Sequence, residues 1–302
     1  MSLVIIALVV AVVYLVASII WERMPPRMGI RRKMAVAAWE PSTNPNMLGM
    51  LSVNVEPALK FLEKVNKTAS VKVTLTALGG KILGMAMAKH PRTNVKLLWG
   101  KIIQHKTVDI AFLVAIGHDA KDDGTSTKPD LAQVKISQIN ECSLEQVATK
   151  LGGGVKELRT GNSKDYNKTK ETVQSIPFWL LGYVLSFGGW LASAVGLSLP
   201  QLGVKAYPFG SCIVTNVGTL GIEMAFIPPT PFCHVPMYVS FGAIKKVPAV
   251  DDDGKVVVQS QMKVTATIDH RIIDGAEAGV LVQAFRRMLE DPETYLADEI
   301  KE

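Results

Sequence analysis

Cysteine is scarce in this chain, and what there is does not cluster. Three cysteines in 302 residues, Cys142, Cys212 and Cys233, are odd in number and far apart. That excludes a disulfide framework and a zinc site, and predicts reduced thiols. His90, His105, His118 and His234 lack metal-ligand spacing and read as turn or surface histidines, so no metal is expected. Basic–aromatic recognition motifs and internal repeats are absent, and the net charge of +6 is not assigned to nucleic acid. Charge is also missing from Leu3 to Ile20 and from Gln174 to Val204.

The first uncharged stretch is just long enough to cross a hydrocarbon core as a helix. Met1-Ser2 supplies no basic side chain ahead of it, unlike a secretory signal peptide. Trp21 closes it, and Arg23, Arg27, Arg31, Arg32 and Lys33 follow, offset only by Glu22. By the positive-inside rule, residues 1–22 are expected to be an uncleaved single-pass transmembrane anchor, with residues 23–302 on the cytoplasmic side. The basic cluster would face anionic lipid headgroups. The alternative is a cleaved or buried helix.

In the second stretch Pro177 can open a helix and Pro200 can close it. Gly182, Ser186, Gly189, Ser193 and Gly196 make a small-residue seam, and Trp179, Tyr183, Phe187 and Trp190 an aromatic stripe. The expected element is an apolar helical insert at about 174–204 that lies on a membrane, re-enters it or walls a lipid chain. Trp21, Trp179, Tyr183 and Trp190 are the expected membrane contacts. The competing reading is a helix docked on the protein's own core or on a neighbouring subunit.

Beyond these stretches, strands are expected near Leu51–Val55, Ile102–His105, Asp109–Ala115, Gln133–Ile136, Cys212–Asn216, Tyr238–Ile244, Val256–Gln261 and Lys263–Ile268. Helices are expected near Pro57–Asn66, Thr74–Lys89, Ser143–Leu158 and Ala276–Leu289. Asp119–Pro129 reads as a loop and Asp251–Gly254 as a hairpin turn. His270 stands where the last strand hands over to the last helix, within His270-x-x-x-Asp274-Gly275. An imidazole there is available as a proton acceptor. By itself this spacing is weak, since a histidine at a strand end is commonly structural.

Five segments in order raise its weight: Ile30-Arg31-Arg32-Lys33-Met34-Ala35, Lys89-His90-Pro91-x-x-Asn94, Val108–Ala115, Phe209–Gly218 and Thr267–Gly275. Together they resemble the catalytic domain of the 2-oxo acid dehydrogenase acyltransferases, which share the chloramphenicol acetyltransferase fold. The resemblance implies an α+β, two-layer domain with a large mixed sheet. It implies acyl transfer from a thioester, with CoA or acyl-CoA as substrate, His270 as general base and the Thr215 hydroxyl as oxyanion donor. Threonine stands where the family usually has serine, and its extra methyl restricts the rotamer. Asp274 matches the acidic or amide position after the histidine. It would hold local structure by pairing with an arginine, Arg31 or Arg32, with Arg271 and Gly275 as further structural support. Gly275 would permit the tight strand-to-helix turn.

A homotrimer or larger homo-oligomer is implied too, with the histidine from one subunit and the hydroxyl from its neighbour. No lipoyl attachment or subunit-binding segment is recognised, so an ordinary dehydrogenase core built by this chain alone is not expected. The reading is a membrane-anchored, CoA-dependent acyltransferase that moves an acyl group between a thioester carrier and an acceptor, with a lipid-like, apolar acceptor or a long acyl chain as the natural candidate. Its alternatives are a non-catalytic membrane-bound trimeric scaffold or carrier-binding protein, and a dehydrogenase core served by a lipoyl domain from another chain.

Overall fold

The computed structural model describes residues 3–23, 45–116, 130–198, 200, 204–251 and 253–299. In chain order they form α1 (Leu3–Arg23), β1 (Asn46–Asn54), α2 (Glu56–Thr68), α3 (Leu75–Lys89), β2 (Val95–Leu98), β3 (Lys101–Gln104), β4 (Ile110–Ile116) and β5 (Asp130–Ile136). Then come α4 (Leu144–Arg159), α5 (Lys164–Ser175), α6 (Phe178–Gly189), a π-helical segment (Trp190–Val195), β6 (Cys212–Asn216), β7 (Met237–Val250), β8 (Val256–Asp269), α7 (Gly275–Glu290) and α8 (Pro292–Tyr295).

Six strands make one mixed sheet in the order β1-β8-β7-β6-β4-β5, while β2 and β3 pair separately. The β4–β6 and β6–β7 pairs are parallel and the rest antiparallel. Helices α2, α3, α4 and α7 cover one face, where Phe61, Leu78, Leu144 and Phe285 pack against Val53, Phe112, Val214 and Phe241. Apolar burial on that face is the main driving force for the layer. The mixed α+β architecture expected from the sequence is therefore present. On the opposite face Ala111, Ile213 and Tyr238 are covered by Phe209, Phe232 and Cys233. All three cysteines are buried free thiols, and among the described residues no group of histidine, cysteine, aspartate and glutamate is placed to hold a metal.

Several expected boundaries move for a physical reason. β1 starts at Asn46 because it pairs with β8 along nine positions, as far as Asp269. The two strands expected over Val256–Ile268 are one, and β7 runs on to Val250, so both arms of the hairpin have 14 residues. Polar residues in their outer halves hide that continuity from a hydrophobic pattern. β2 was not anticipated; it is joined to β3 by a two-residue turn, Trp99-Gly100, with φ of 46° and 73°. The loop expected at Asp119–Pro129 lies outside the described residues.

The apolar insert is not one helix. A polar helix, α5, precedes it, and α6 continues into the π-helical segment that ends at Gly196. Its small-residue seam divides in two. Gly182 has open space around it, whereas Gly189 lies against the Phe232 backbone and Gly196 against the Tyr207 ring. The insert is thus docked on its own domain at its C-terminal end. Lys96 completes the clamp: its buried Nζ donates to Ala194 O at 2.7 Å and to the Tyr207 hydroxyl at 2.5 Å, and lies over the Tyr207 ring. The Tyr207 hydroxyl in turn donates to Val195 O at 3.1 Å. His105 packs edge-on against Tyr207. Contrary to the surface reading, burial in the first place, helped by the Lys96 charge, pushes its pKa down to about 4.

The N-terminal apolar run is helical over 21 residues, about 31 Å at 1.5 Å per residue. Its described side chains cover only Ile5–Ala17, Ile20 and Trp21. On those residues alone no helix is long and apolar enough to cross a membrane. A transmembrane anchor is therefore not part of the described fold. The side chain of Trp179 likewise lies outside what is described.

Gly196 has φ of 90°, and a Cβ there would strike the Tyr207 ring, which Lys96 and Val195 O hold in place. Gly196→Ala is expected to cost more than ~2 kcal/mol, from the left-handed backbone and the clash together. The shift of the urea unfolding midpoint measures it.

Candidate functional site

β8 lies between β1 and β7, so its end at Asp269 is held on both sides: Asn46 pairs with Asp269, and Asp269 N donates to Pro236 O at 2.8 Å. The next residue, His270, is fixed by its own N–H to Pro45 O at 2.9 Å. Its side chain is half-buried, and its Nδ1 lies 3.3 Å from Ile273 O. A carbonyl oxygen only accepts, so this contact assigns the proton to Nδ1 and the lone pair to Nε2. An imidazole in that tautomer is set up to take a proton at Nε2.

Asp269 and Arg271 form a bidentate pair, with Nη2 to Oδ2 at 2.7 Å and Nε to Oδ1 at 3.0 Å. The hydrogen bonds to Asp269 raise the Arg271 pKa, against the opposing effect of burial. This planar clamp brackets His270 in the chain and stiffens the junction. Sequence reasoning cast Arg271 as support but missed its partner, although a carboxylate two residues before an arginine at a strand end was the available signal.

Asp274 makes backbone contacts at the start of α7. Its Oδ1 accepts from Ala276 N and Glu277 N, both at 3.0 Å, while Glu277 Oε2 accepts from Asp274 N at 3.0 Å. That is a capping box at the start of α7. Arg31 and Arg32 lie outside the described residues. Gly275, expected to allow a tight turn, has no positive φ and open space at its Cβ position, so the turn does not require it.

Thr215 sits on β6, in register with Ser240 of β7, which is itself in register with Thr265 of β8. Within one chain it is far from His270. Two strand spacings of about 4.8 Å across and five residues of about 3.3 Å along put the two Cα atoms roughly 19 Å apart. One copy therefore does not bring the expected base and hydroxyl together. The sheet face that carries Thr215 also carries Ser240, Thr265 and Thr267, away from the helices. The hydroxyls of Ser240 and Thr267 are buried with no hydrogen-bond partner, while Thr265 donates to Ala225 O at 2.5 Å. On the same face Leu48 and Met50 of the edge strand β1 are 59% and 56% exposed. Neither the hydroxyl row nor this exposed pair was singled out from the sequence, because each becomes visible only once the registers align them.

Known proteins extend this picture. The dihydrolipoyllysine-residue acetyltransferase component 4 of the chloroplastic pyruvate dehydrogenase complex of Arabidopsis thaliana is 26% identical over 283 residues, covering 90% of this chain. The chain spans 47% of that protein's length, so about half of it. The cubic core of the pyruvate dehydrogenase multienzyme complex aligns with a TM-score of 0.59 at 16% identity, covering 89% of each chain. Dihydrolipoamide acetyltransferase of Azotobacter vinelandii, studied for the catalytic roles of a serine, a histidine and an asparagine, aligns with a TM-score of 0.58 at 15% identity, covering 88% of each. At such identities the two structures speak for the fold. The family described as 2-oxoacid dehydrogenases acyltransferase (catalytic domain) matches residues 22–152 and 201–297. The unmatched segment, 153–200, opens well before the expected start of the insert at about 174 and takes in all of α5 and α6. Strand order, helix layer and family match converge, and the chain belongs to the 2-oxoacid dehydrogenase acyltransferases through their catalytic domain.

Proposed function

We propose that the chain catalyses acyl transfer between CoA and a thiol carrier, with His270 as general base and the Thr215 hydroxyl of a neighbouring copy as oxyanion donor. The observation that carries it is the Nδ1 contact of His270 with Ile273 O, which favours the Nδ1–H tautomer, in which Nε2 is the basic nitrogen. In the reaction Nε2 takes the acceptor's thiol proton as its sulfur attacks the thioester carbonyl. The tetrahedral oxyanion accepts a hydrogen bond from Thr215. Collapse breaks the bond to the CoA sulfur, and the imidazolium returns the proton to that thiolate.

Two observations favour a site shared between copies, in a homotrimer or larger homo-oligomer. The separation of roughly 19 Å between His270 and Thr215 leaves each without the other. The exposed Leu48 and Met50 of the edge strand β1 suit a face that another copy covers. For the acceptor, the relatives' names favour a dihydrolipoyl lysine. The lipid-like acceptor suggested by the sequence rests on the apolar insert alone. Asp274 acts by capping α7 and so holding the junction that aims His270.

Membrane anchoring through α1 belongs to the same proposal. It is supported by the uncharged run Leu3–Ile20, the helical state of Leu3–Arg23 and the basic cluster that follows.

Acetyl-CoA and dihydrolipoamide, with CoA release followed over time, test the chemistry. His270→Ala should lower kcat by at least ~10²-fold. Thr215→Val should cost ~10²-fold, and Thr215→Ser should stay within a few-fold of wild type. Full activity in both His270→Ala and Thr215→Val would refute the assignment and leave a non-catalytic scaffold. Asp274→Ala is expected to lose about 1 kcal/mol of stability, and Asp274→Asn, an equally good cap, to retain both stability and activity.

A further inference from the structure

A line of aromatic rings, half-buried at Trp21 and Trp190 and exposed at Trp99, Phe187 and Tyr183, joins three elements that are distant in sequence. Trp21, at the end of α1, meets Trp99 edge-to-face with ring centroids 5.8 Å apart. Trp99 lies 5.9 Å from Trp190, which stacks with Phe187 at 6.1 Å. From there an exposed face of α6 continues through Tyr183 and Leu180, at helical spacing on one side. The insert is docked through its C-terminal end, so this outward face is left over after its packing is complete.

Trp99 is the informative member. It occupies the first position of a two-residue hairpin turn with φ of 46°, followed by Gly100 with φ of 73°. Both values belong to a type I′ turn, where Asn-Gly is the favoured pair and a bulky aromatic is strained. The side chain is 65% exposed, so burial within the chain does not offset that strain. An outlier of this kind, at the tip of a hairpin, points to a contact beyond the chain. Trp21 is held against the hairpin from within the chain, with the Nζ of the buried Lys101 4.5 Å from its ring centroid.

We propose that Trp21, Trp99, Trp190, Phe187, Tyr183 and Leu180 form one surface that lies in the headgroup region of an anionic bilayer. It would hold the catalytic domain in a fixed orientation at the end of the anchor. This rests on the anchoring reading of α1 and adds the β2–β3 hairpin and the insert as a second point of attachment. The bilayer is favoured over another protein copy by continuity and by charge. The line starts at the end of the apolar helix, whose last residue is Arg23, and Arg27, Arg31, Arg32 and Lys33 come next in the sequence. Tryptophan and tyrosine prefer the interfacial zone, and basic residues its anionic headgroups.

The test uses the full chain in vesicles of phosphatidylcholine and phosphatidylglycerol, with the phosphatidylcholine brominated near the headgroup end of its acyl chains. Flotation reports anchoring, and quenching of tryptophan emission reports contact. Trp99→Asn relieves the turn, so its unfolding midpoint should equal or exceed that of wild type. The chain has five tryptophans, and the variant should lose at least about one fifth of the quenching. Flotation with unchanged quenching in Trp99→Asn overturns the surface and leaves the anchor intact. Absence of flotation overturns the anchor, and the surface with it. A smaller oligomer for Trp99→Asn with unchanged quenching assigns the line to a second copy instead, and also overturns the proposal.

Discussion

The pairing of β8 with strands on both sides is the constraint on which the site depends. Nine register pairs to β1 and a longer ladder to β7 leave β8 no freedom to slip, because one residue of slippage would exchange its buried and exposed faces. Its end at Asp269 is fixed by the same ladder. The Asp269–Arg271 clamp and the Asp274 capping box then complete the turn into α7. Between those two devices the chain has little choice of path, and the His270 ring is brought against Ile273 O. The placement of the His270 ring is thus a product of strand register and helix capping.

Much of this was legible in the sequence. Val264-Thr-Ala-Thr-Ile268 alternates as a strand should, Ser143 with Gln146 carries a capping-box pattern that the structure contains, and the ordered motifs pointed to the right family. What escaped had local reasons. β2 is only four residues long and pairs only with β3. The outer halves of β7 and β8 carry lysine and glutamine, so their length follows from pairing with each other and not from burial. The cap at Asp274 was also overlooked, although Asp274-x-x-Glu277 before an apolar run is a capping signal. His105 looked like a surface histidine until folding placed it against Tyr207 and beside Lys96.

The insert illustrates how a departure from a family is accommodated. Lys96, Tyr207 and Gly196 clamp its C-terminal end to the shared core, and the π-helical geometry there leaves carbonyl groups that Lys96 and Tyr207 can engage. The core keeps its helix layer and strand order, while the added residues spend their apolar character on an outward face. The family's sheet and helix layer are thus kept, while the residues outside the family match, 153–200, are accommodated at one side of the domain.

The central claim is that base and hydroxyl meet only across two copies. Mixing two inactive variants, His270→Ala and Thr215→Val, after dissociation and reassembly tests it most directly. A shared site predicts recovered activity of about one quarter of wild type for random equal mixing, since each junction draws one residue from each neighbour. Mixtures as inactive as the separate variants, with reassembly verified, would contradict the account.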